Sequence, residues 1–256
     1  MKVLIVGATG SIGRHVVEMS IKMGHQPKAL VRTQHKSKLL PPGVEIIYGD
    51  VSVPETLTGI GDDIDAVIFT LGSDGLGRIG ARAIDYGGVR NILKQLAHQH
   101  VRIVLMTAIG VTEREGSYNR QTEAHDWKRR AERLVRASGH PYTIVRPGWF
   151  DYNKPNEQKI VMLQGDKRHS GTPADGVISR KQIARVLVCA LTDDSATNKT
   201  LELIAEQGKE QQNLTPLFSA LQQDRAGKND GIQDIDNMPV ESEPECVIRD
   251  LNKVAQ

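Results

Sequence analysis

The chain opens MKVLIVGATGSIGRHVVEMS, an apolar run that stops at Gly7 and resumes as an amphipathic stretch after Gly13. Glycine weakens the interior of a strand or a helix. Three glycines at 7, 10 and 13, where a strand should hand over to a helix, therefore require a close backbone approach. Gly7 allows a sharp turn after the strand. Gly10 removes a side chain where a pyrophosphate would meet backbone N–H groups, and Gly13 lets the first helix pack close to the sheet. Thr9, Ser11 and Ile12 complete the candidate dinucleotide-binding turn. The triplet follows a strand and opens a helix, the context that distinguishes a nucleotide motif from an ordinary glycine-rich turn.

The rest of the chain repeats this alternation. Strands are expected at 2–6, 27–31, 44–48, 66–71, 102–107 and 142–145, several as unbroken apolar runs such as VLIV and IVLM. Such runs belong to strands covered on both faces. Helices are expected at 12–23, 81–99 and 123–138. The pattern predicts an α/β fold: a Rossmann-like, doubly wound parallel sheet with right-handed crossovers and a small C-terminal substrate region. Residues 148–176 read as loop with a short strand at 160–163. A helix at 180–191 follows, with Ser179 as its N-cap, then a strand at 200–204. The expected units are a dinucleotide-binding domain at 1–206, including substrate elements at 148–180, and a polar C-terminal extension at 207–256. The extension carries helices at 214–222 and 244–254, the last docking on the domain through Val247, Ile248, Leu251 and Val254.

Composition excludes more than it proposes. A net charge of +2 argues against a dedicated nucleic-acid or membrane surface. Two cysteines fit a reducing, cytoplasmic setting, and the N-terminal apolar run is too short for a signal-peptide core. No metal-ligand spacing is present; His98 and His100 fall around a helix end and are expected to face water. The segment WKRRAERLVR at 127–136 interleaves arginines with apolar residues and is expected to be a solvated helix face.

The second strand ends ALVR. A site for NAD usually carries Asp or Glu here to bind the ribose hydroxyls; Arg32 suits a 2′-phosphate instead, so the expected cofactor is NADP, as NADPH. His35, Lys36 and Lys38 add positive charge to the same loop, the lysines as solvated side chains.

GATGSIG, the ALVR strand end, YGDV at 48–51, YTIVRPG at 142–148 and GVISRKQIARVLVCAL at 176–191 together resemble the atypical short-chain dehydrogenases/reductases. More narrowly, they resemble the NAD(P)H-binding branch that includes biliverdin reductase B (a flavin reductase) and NmrA-like proteins. The resemblance spans about 1–206. It implies that Asp50 and Val51 flank the adenine, and that Thr70, Leu71 and Gly72 line the cofactor. It also implies that Thr107 holds the position of the catalytic serine or threonine, and that Lys128 binds the nicotinamide ribose, with Pro147 and Gly148 nearby. Asp85 and Tyr86 would lie on the helix beside the cofactor, Tyr86 as a packing residue.

One departure matters. A Tyr-x-x-x-Lys pair would place tyrosine at 124, and Ala124 stands there. Tyr118, His125 and Tyr152 are the candidate substitutes; Tyr118 is expected at the surface and His125 one position off the required face. Hydride transfer to a flavin or quinone fits the gap, because it needs two rings held face to face more than it needs an acid. Trp149, Phe150 and Tyr152 are candidate walls for a planar substrate, and the glycine-rich loop at 71–80 is a candidate mobile cover. The expected function is an NADPH-dependent oxidoreductase acting on a small planar acceptor. The rivals are an NADP-binding sensor or scaffold without turnover, and a carbonyl reductase or sugar-nucleotide enzyme with a relocated tyrosine. A small-molecule partner is expected, with homodimerisation left open.

Overall fold

The strand runs that read as apolar on both faces are buried end to end: VLIV in the first strand, AVIF in the fourth and RIVLM in the fifth. The computed structural model describes residues 1–73, 75–96 and 100–254. In chain order its elements begin with β1 (Lys2–Val6), α1 (Gly13–Lys22), β2 (Gln26–Val31), α2 (Gln34–Ser37) and β3 (Glu45–Tyr48). Next come β4 (Ala66–Phe69), α3 (Gly77–Gly80), a π-helical stretch Ala81–Tyr86, α4 (Gly87–Gln95), β5 (Arg102–Met106), α5 (Ser117–Thr122) and α6 (Ala124–Ala137). The remainder is β6 (Tyr142–Pro147), β7 (Trp149–Phe150), β8 (Lys159–Leu163), β9 (Val177–Ile178), α7 (Arg180–Cys189), β10 (Lys199–Glu206), α8 (Thr215–Ser219) and α9 (Glu245–Val254).

One sheet contains all the strands, in the order β3-β2-β1-β4-β5-β6-β10-β9-β7, with β8 also on β10. From β3 to β10 every pairing is parallel; β8 and β9 add antiparallel partners to β10. The fold is therefore Rossmann-like. The order reverses at β1, with β2 on one side and β4 on the other. That reversal opens a crevice at the carboxyl ends of the strands. One core lies between the sheet and α1 and α7, around Val16, Val17, Ile183 and Leu187. The other lies under α4 and α6, around Ile92, Leu96, Trp127 and Leu134, and takes in Val247 and Leu251 of α9.

Three local differences from the sequence reading have physical causes. The helix expected at 81–99 starts as a π-helical stretch, and its end at 97–99, with His98, lies outside the described residues. β7 arises in the segment 148–176 expected to be loop, and β9 directly after it, because Gly148 lets two backbones meet. A Cβ there would lie 2.4 Å from the Gly176 carbonyl oxygen. Residues 117–122, where no helix was expected, form α5.

The largest difference is at α6, whose arginines are not solvated. Arg129 and Arg133 are 0% exposed. They lie beneath the chain at 230–243: Asp230 accepts from both, at 2.9 Å each, and Glu243 accepts from Arg133 at 2.9 Å and from Arg130 at 2.6 Å. Arg129 also donates to Asn237 and to the Ile235 carbonyl. Arg136 reaches Asp224 and Thr200, and the Arg130 guanidinium lies 4.3 Å from the centre of the Trp127 ring. An arginine interleaved with apolar residues looks the same whether it meets water or an acidic segment a hundred residues later. The carboxylates that decide the matter are in the extension.

Arg146 in β6 is also fully buried and gathers three carboxylates, Glu132, Glu202 and Asp234. Arg136 also reaches Glu132, at 3.3 Å, but shares its charge with Asp224, so the carboxylates still outnumber the guanidiniums. Burial, helped by the charges of Asp166 and Asp234 and opposed by Arg146, pushes the Glu202 carboxyl up to about 7. A folded-state pKa above the unfolded value means the folded chain holds the proton more tightly. Stability conferred by protonated Glu202 is thus lost as pH rises from about 4.5 to about 7. Replacing Glu202 with Gln should shift the stability difference in the variant's favour between about pH 5 and about pH 8, measured by denaturant unfolding at both. Asp230→Ala, which strips Arg129 and Arg133 of their shared carboxylate, should cost about 3–5 kcal/mol in the same assay.

Candidate active site

The crevice at the strand ends holds a cleft of about 370 Å³. Its floor is the turn after β1. Gly7 has φ +91°, a left-handed conformation that suits glycine, and a Cβ there would lie 2.8 Å from the Thr70 carbonyl oxygen. The Thr70 hydroxyl stands 3.2 Å from the Val6 carbonyl and 3.3 Å from that of Gly7, tying β4 to the turn. Gly13 serves the turn itself rather than the sheet: its Cβ would sit 2.1 Å from the Gly7 carbonyl oxygen. At the start of α1 no side chain caps the helix and the first turn carries no acidic residue. Uncapped N–H groups beside bare glycine backbone suit an anion, and this donor set fits a dinucleotide diphosphate.

Around that floor the cleft brings together Gly7, Thr9, Gly10, Ser11 and Ile12 with Arg32, Asp50 and Val51 on one side. Thr70, Leu71, Gly72, Thr107, Lys128 and Phe150 line the other. Lys36, expected as a solvated side chain, lines the cleft beside Arg32. The Asp50 carboxylate accepts from the Ser52 backbone and hydroxyl, at 2.8 and 2.7 Å. Burial opposes its ionisation, but those bonds and the charge of Arg32 outweigh burial and hold it below the usual carboxylate range. Pro147 and Gly148 are buried and lie outside the cleft wall; their carbonyl and amide serve the pairing with Ile109 and Leu203. Trp149 and Tyr152 also lie outside it, packed edge to face with ring centres 6.0 Å apart and 62% of Tyr152 exposed.

Two hydrogen bonds define what the far end can do. Thr107 donates its hydroxyl proton to the buried Glu132 at 2.7 Å. It therefore offers the cleft an oxygen lone pair and a methyl group, not a proton. The Lys128 ammonium stands 2.5 Å from Asp85, a buried carboxylate that also accepts from Ser73. Asp85 is thus the ion-pair partner of Lys128, a contact not expected from the sequence.

Position 124 does not face the cleft. Ala124 is buried in the core under α6, whereas His125 and Lys128, three apart on that helix, both line the cleft. Tyr118, on α5, joins them, its ring 5.2 Å from that of His125. Tyr118 is at the surface as expected, half exposed, and also lines the cleft, whereas His125, expected one position off the required face, is on the cleft face. Burial, together with the charge of Lys128, pushes the His125 imidazole below its ordinary value against the opposing pull of the Glu113 carbonyl and Asp166. His125 is therefore neutral at neutral pH. An i,i+3 reading of His125 against Lys128 would have found it; the ion pair of Asp85 with Lys128, 43 residues apart, has no local signal in the sequence.

Residues 7–194 match the model of a family described as NAD(P)H-binding. The chain belongs to this NAD(P)H-binding family. Among its relatives is an uncharacterized chloroplastic protein of Arabidopsis thaliana, 30% identical over 239 residues that cover 86% of this chain and 82% of that one. The isoflavone reductase homolog A622 of Nicotiana tabacum is 29% identical over 222 residues, covering 79% of this chain and 67% of that protein. A solved structure, a putative NAD-dependent epimerase/dehydratase from Bacillus halodurans, superposes with a TM-score of 0.71 at 23% identity, covering 86% of this chain and all of that one. Family membership makes this an oxidoreductase-type NAD(P)H-binding protein. Among the described residues no helix is long and apolar enough to cross a membrane, and no cluster of side chains is arranged to hold a metal.

Two glycine substitutions should separate fold from binding. Gly13→Ala drives a carbon into the Gly7 carbonyl, so it should lower the melting temperature and abolish NAD(P)H binding. Gly10→Ala meets that same oxygen only at 3.2 Å. It should melt close to the wild type and still bind the dinucleotide more weakly, read by thermal unfolding and fluorescence titration.

Proposed function

We propose that the protein is an NADPH-dependent reductase of a small planar acceptor, such as a flavin or a quinone. The observation that carries this reading is the pairing in one cleft of a diphosphate-type turn with a far end where the Thr107 proton is already held by Glu132 and position 124 faces away. When bound, the reduced nicotinamide supplies a hydride, and a proton from solvent completes the two-electron reduction of the acceptor. The chain's part is placement. Gly7, Thr9, Gly10, Ser11 and Ile12 would hold the diphosphate, with Gly13 shaping their turn; Asp50 and Val51 would flank the adenine and Arg32 would pair with the 2′-phosphate. Thr70, Leu71 and Gly72 line the middle. Lys128, steadied by Asp85, would hold the ribose, and Thr107 would present its lone pair to the ring's edge. Phe150 offers the acceptor a face, while Leu71 and Met106 keep water from the far end.

Three features support an acceptor that needs no enzymic acid. Position 124 faces the core, the Thr107 proton is held by Glu132, and His125 is neutral. The burial of the α6 arginines argues against nucleic acid as a partner, and the two free thiols, Cys189 and Cys246, support a reducing, cytoplasmic setting. A second reading, carbonyl reduction with a relocated tyrosine, is favoured by Tyr118 at the cleft wall.

Oxidation of NADPH followed at its absorbance band, with FMN, riboflavin and simple quinones as acceptors, should show turnover that Tyr118→Phe leaves intact. Turnover confined to carbonyl substrates and lost in Tyr118→Phe would favour the second reading. Tight NADPH binding with no turnover on any acceptor would make the protein a sensor. Arg32→Ala should weaken NADPH binding by about 1.5–3 kcal/mol, the scale of a charge-assisted bond, and leave NADH nearly unchanged. Equal losses for both would contradict the assignment of the 2′-phosphate to Arg32.

A further inference from the structure

Arg180 is the first residue of α7, 169 residues along the chain from Ser11, yet its Nε stands 3.1 Å from the Ser11 hydroxyl oxygen. Ser11 belongs to the glycine turn, and between Gly7 and Gly13 that turn carries no basic side chain. The guanidinium also lies 5.3 Å from the centre of the Phe150 ring, which lines the same cleft. Its counter-ion is Asp151, which pairs with the guanidinium and accepts the Arg180 backbone N–H at 2.9 Å. Asp151 has φ +61°. That left-handed backbone aims its carboxylate at the start of α7. A carboxylate thus occupies the guanidinium beside the stretch of cleft where the diphosphate would lie.

We propose that Arg180 is the side-chain cation for the dinucleotide's diphosphate, held between Asp151 and Ser11 until the diphosphate takes over from them; this rests on the reading of the cleft as a dinucleotide site. The chemistry is bidentate: a planar guanidinium matches phosphate oxygens as it matches a carboxylate. Phe150 lies against the same guanidinium and Asp151 follows it in the chain. Engagement of the diphosphate therefore sets the wall on which the acceptor would rest. The contact with Ser11 favours the diphosphate over an acidic group on the acceptor, because Ser11 is in the turn, not at the far end.

Calorimetric titration of NADPH, NADH and 2′,5′-ADP into the wild type, Arg180→Gln and Asp151→Asn tests this. Arg180→Gln should weaken NADPH and NADH by the same factor, roughly ten-fold or more, because both carry the diphosphate. It should weaken 2′,5′-ADP, which has no diphosphate, far less. Asp151→Asn keeps the left-handed backbone, which asparagine tolerates, and removes the competing charge, so it should tighten both dinucleotides. Unchanged dinucleotide affinity in Arg180→Gln would overturn the proposal alone, as would a loss confined to NADPH. If Arg180→Gln fails to fold, Asp151→Asn decides: unchanged or weaker binding overturns the proposal. A wild type that binds neither dinucleotide would overturn the reading of the cleft and this inference with it.

Discussion

The fully buried Arg146 ties the parts of this molecule together. Its guanidinium joins Glu132 of α6, Glu202 of β10 and Asp234 of the C-terminal extension at one point under the sheet. Charges taken out of water cost several kcal/mol each unless they are fully partnered. The strands, α6 and the extension must therefore arrive together or not at all. Glu132 is also the acceptor for Thr107, so the same cluster that locks the extension down fixes the side chain at the end of β5 that faces the cleft.

That arrangement explains why a chain of this length carries a polar tail. The segment at 224–243 supplies carboxylates and carbonyls to Arg129, Arg130, Arg133 and Arg136, and α9 adds Val247 and Leu251 to the core. The side chains that line the far end of the cleft sit mainly at the strand ends and on α6, the element this segment covers. Lys128 is one residue from Arg129, so the helix that presents Lys128 to the cleft is clamped from behind.

The parallel sheet was legible because its strands are unbroken apolar runs and because Gly7, Gly10 and Gly13 can be spaced that way only for a close approach. Arg32 was singled out by its place at the end of β2 and Lys128 by the family resemblance, and both line the cleft. What was not legible depends on contacts far apart in the chain. The arginines of α6 meet acids about a hundred residues later, Asp85 reaches Lys128 across 43 positions, and Arg180 reaches Ser11 across 169. The two-residue strands β7 and β9 exist only because Gly148 lets backbones from distant segments touch. His125 is a different case: one step from the expected face was read as off the site, although a helix face is wide enough to hold residues three apart.

The most direct test of the account is a crystal structure of the protein with NADPH bound. The diphosphate is expected over Gly7–Ile12 against the start of α1, the 2′-phosphate against Arg32, and the nicotinamide between Phe150 and the Thr107–Lys128 end of the cleft. A dinucleotide seated elsewhere, or one reversed so that its adenine lies beside Thr107 and Lys128, would contradict it.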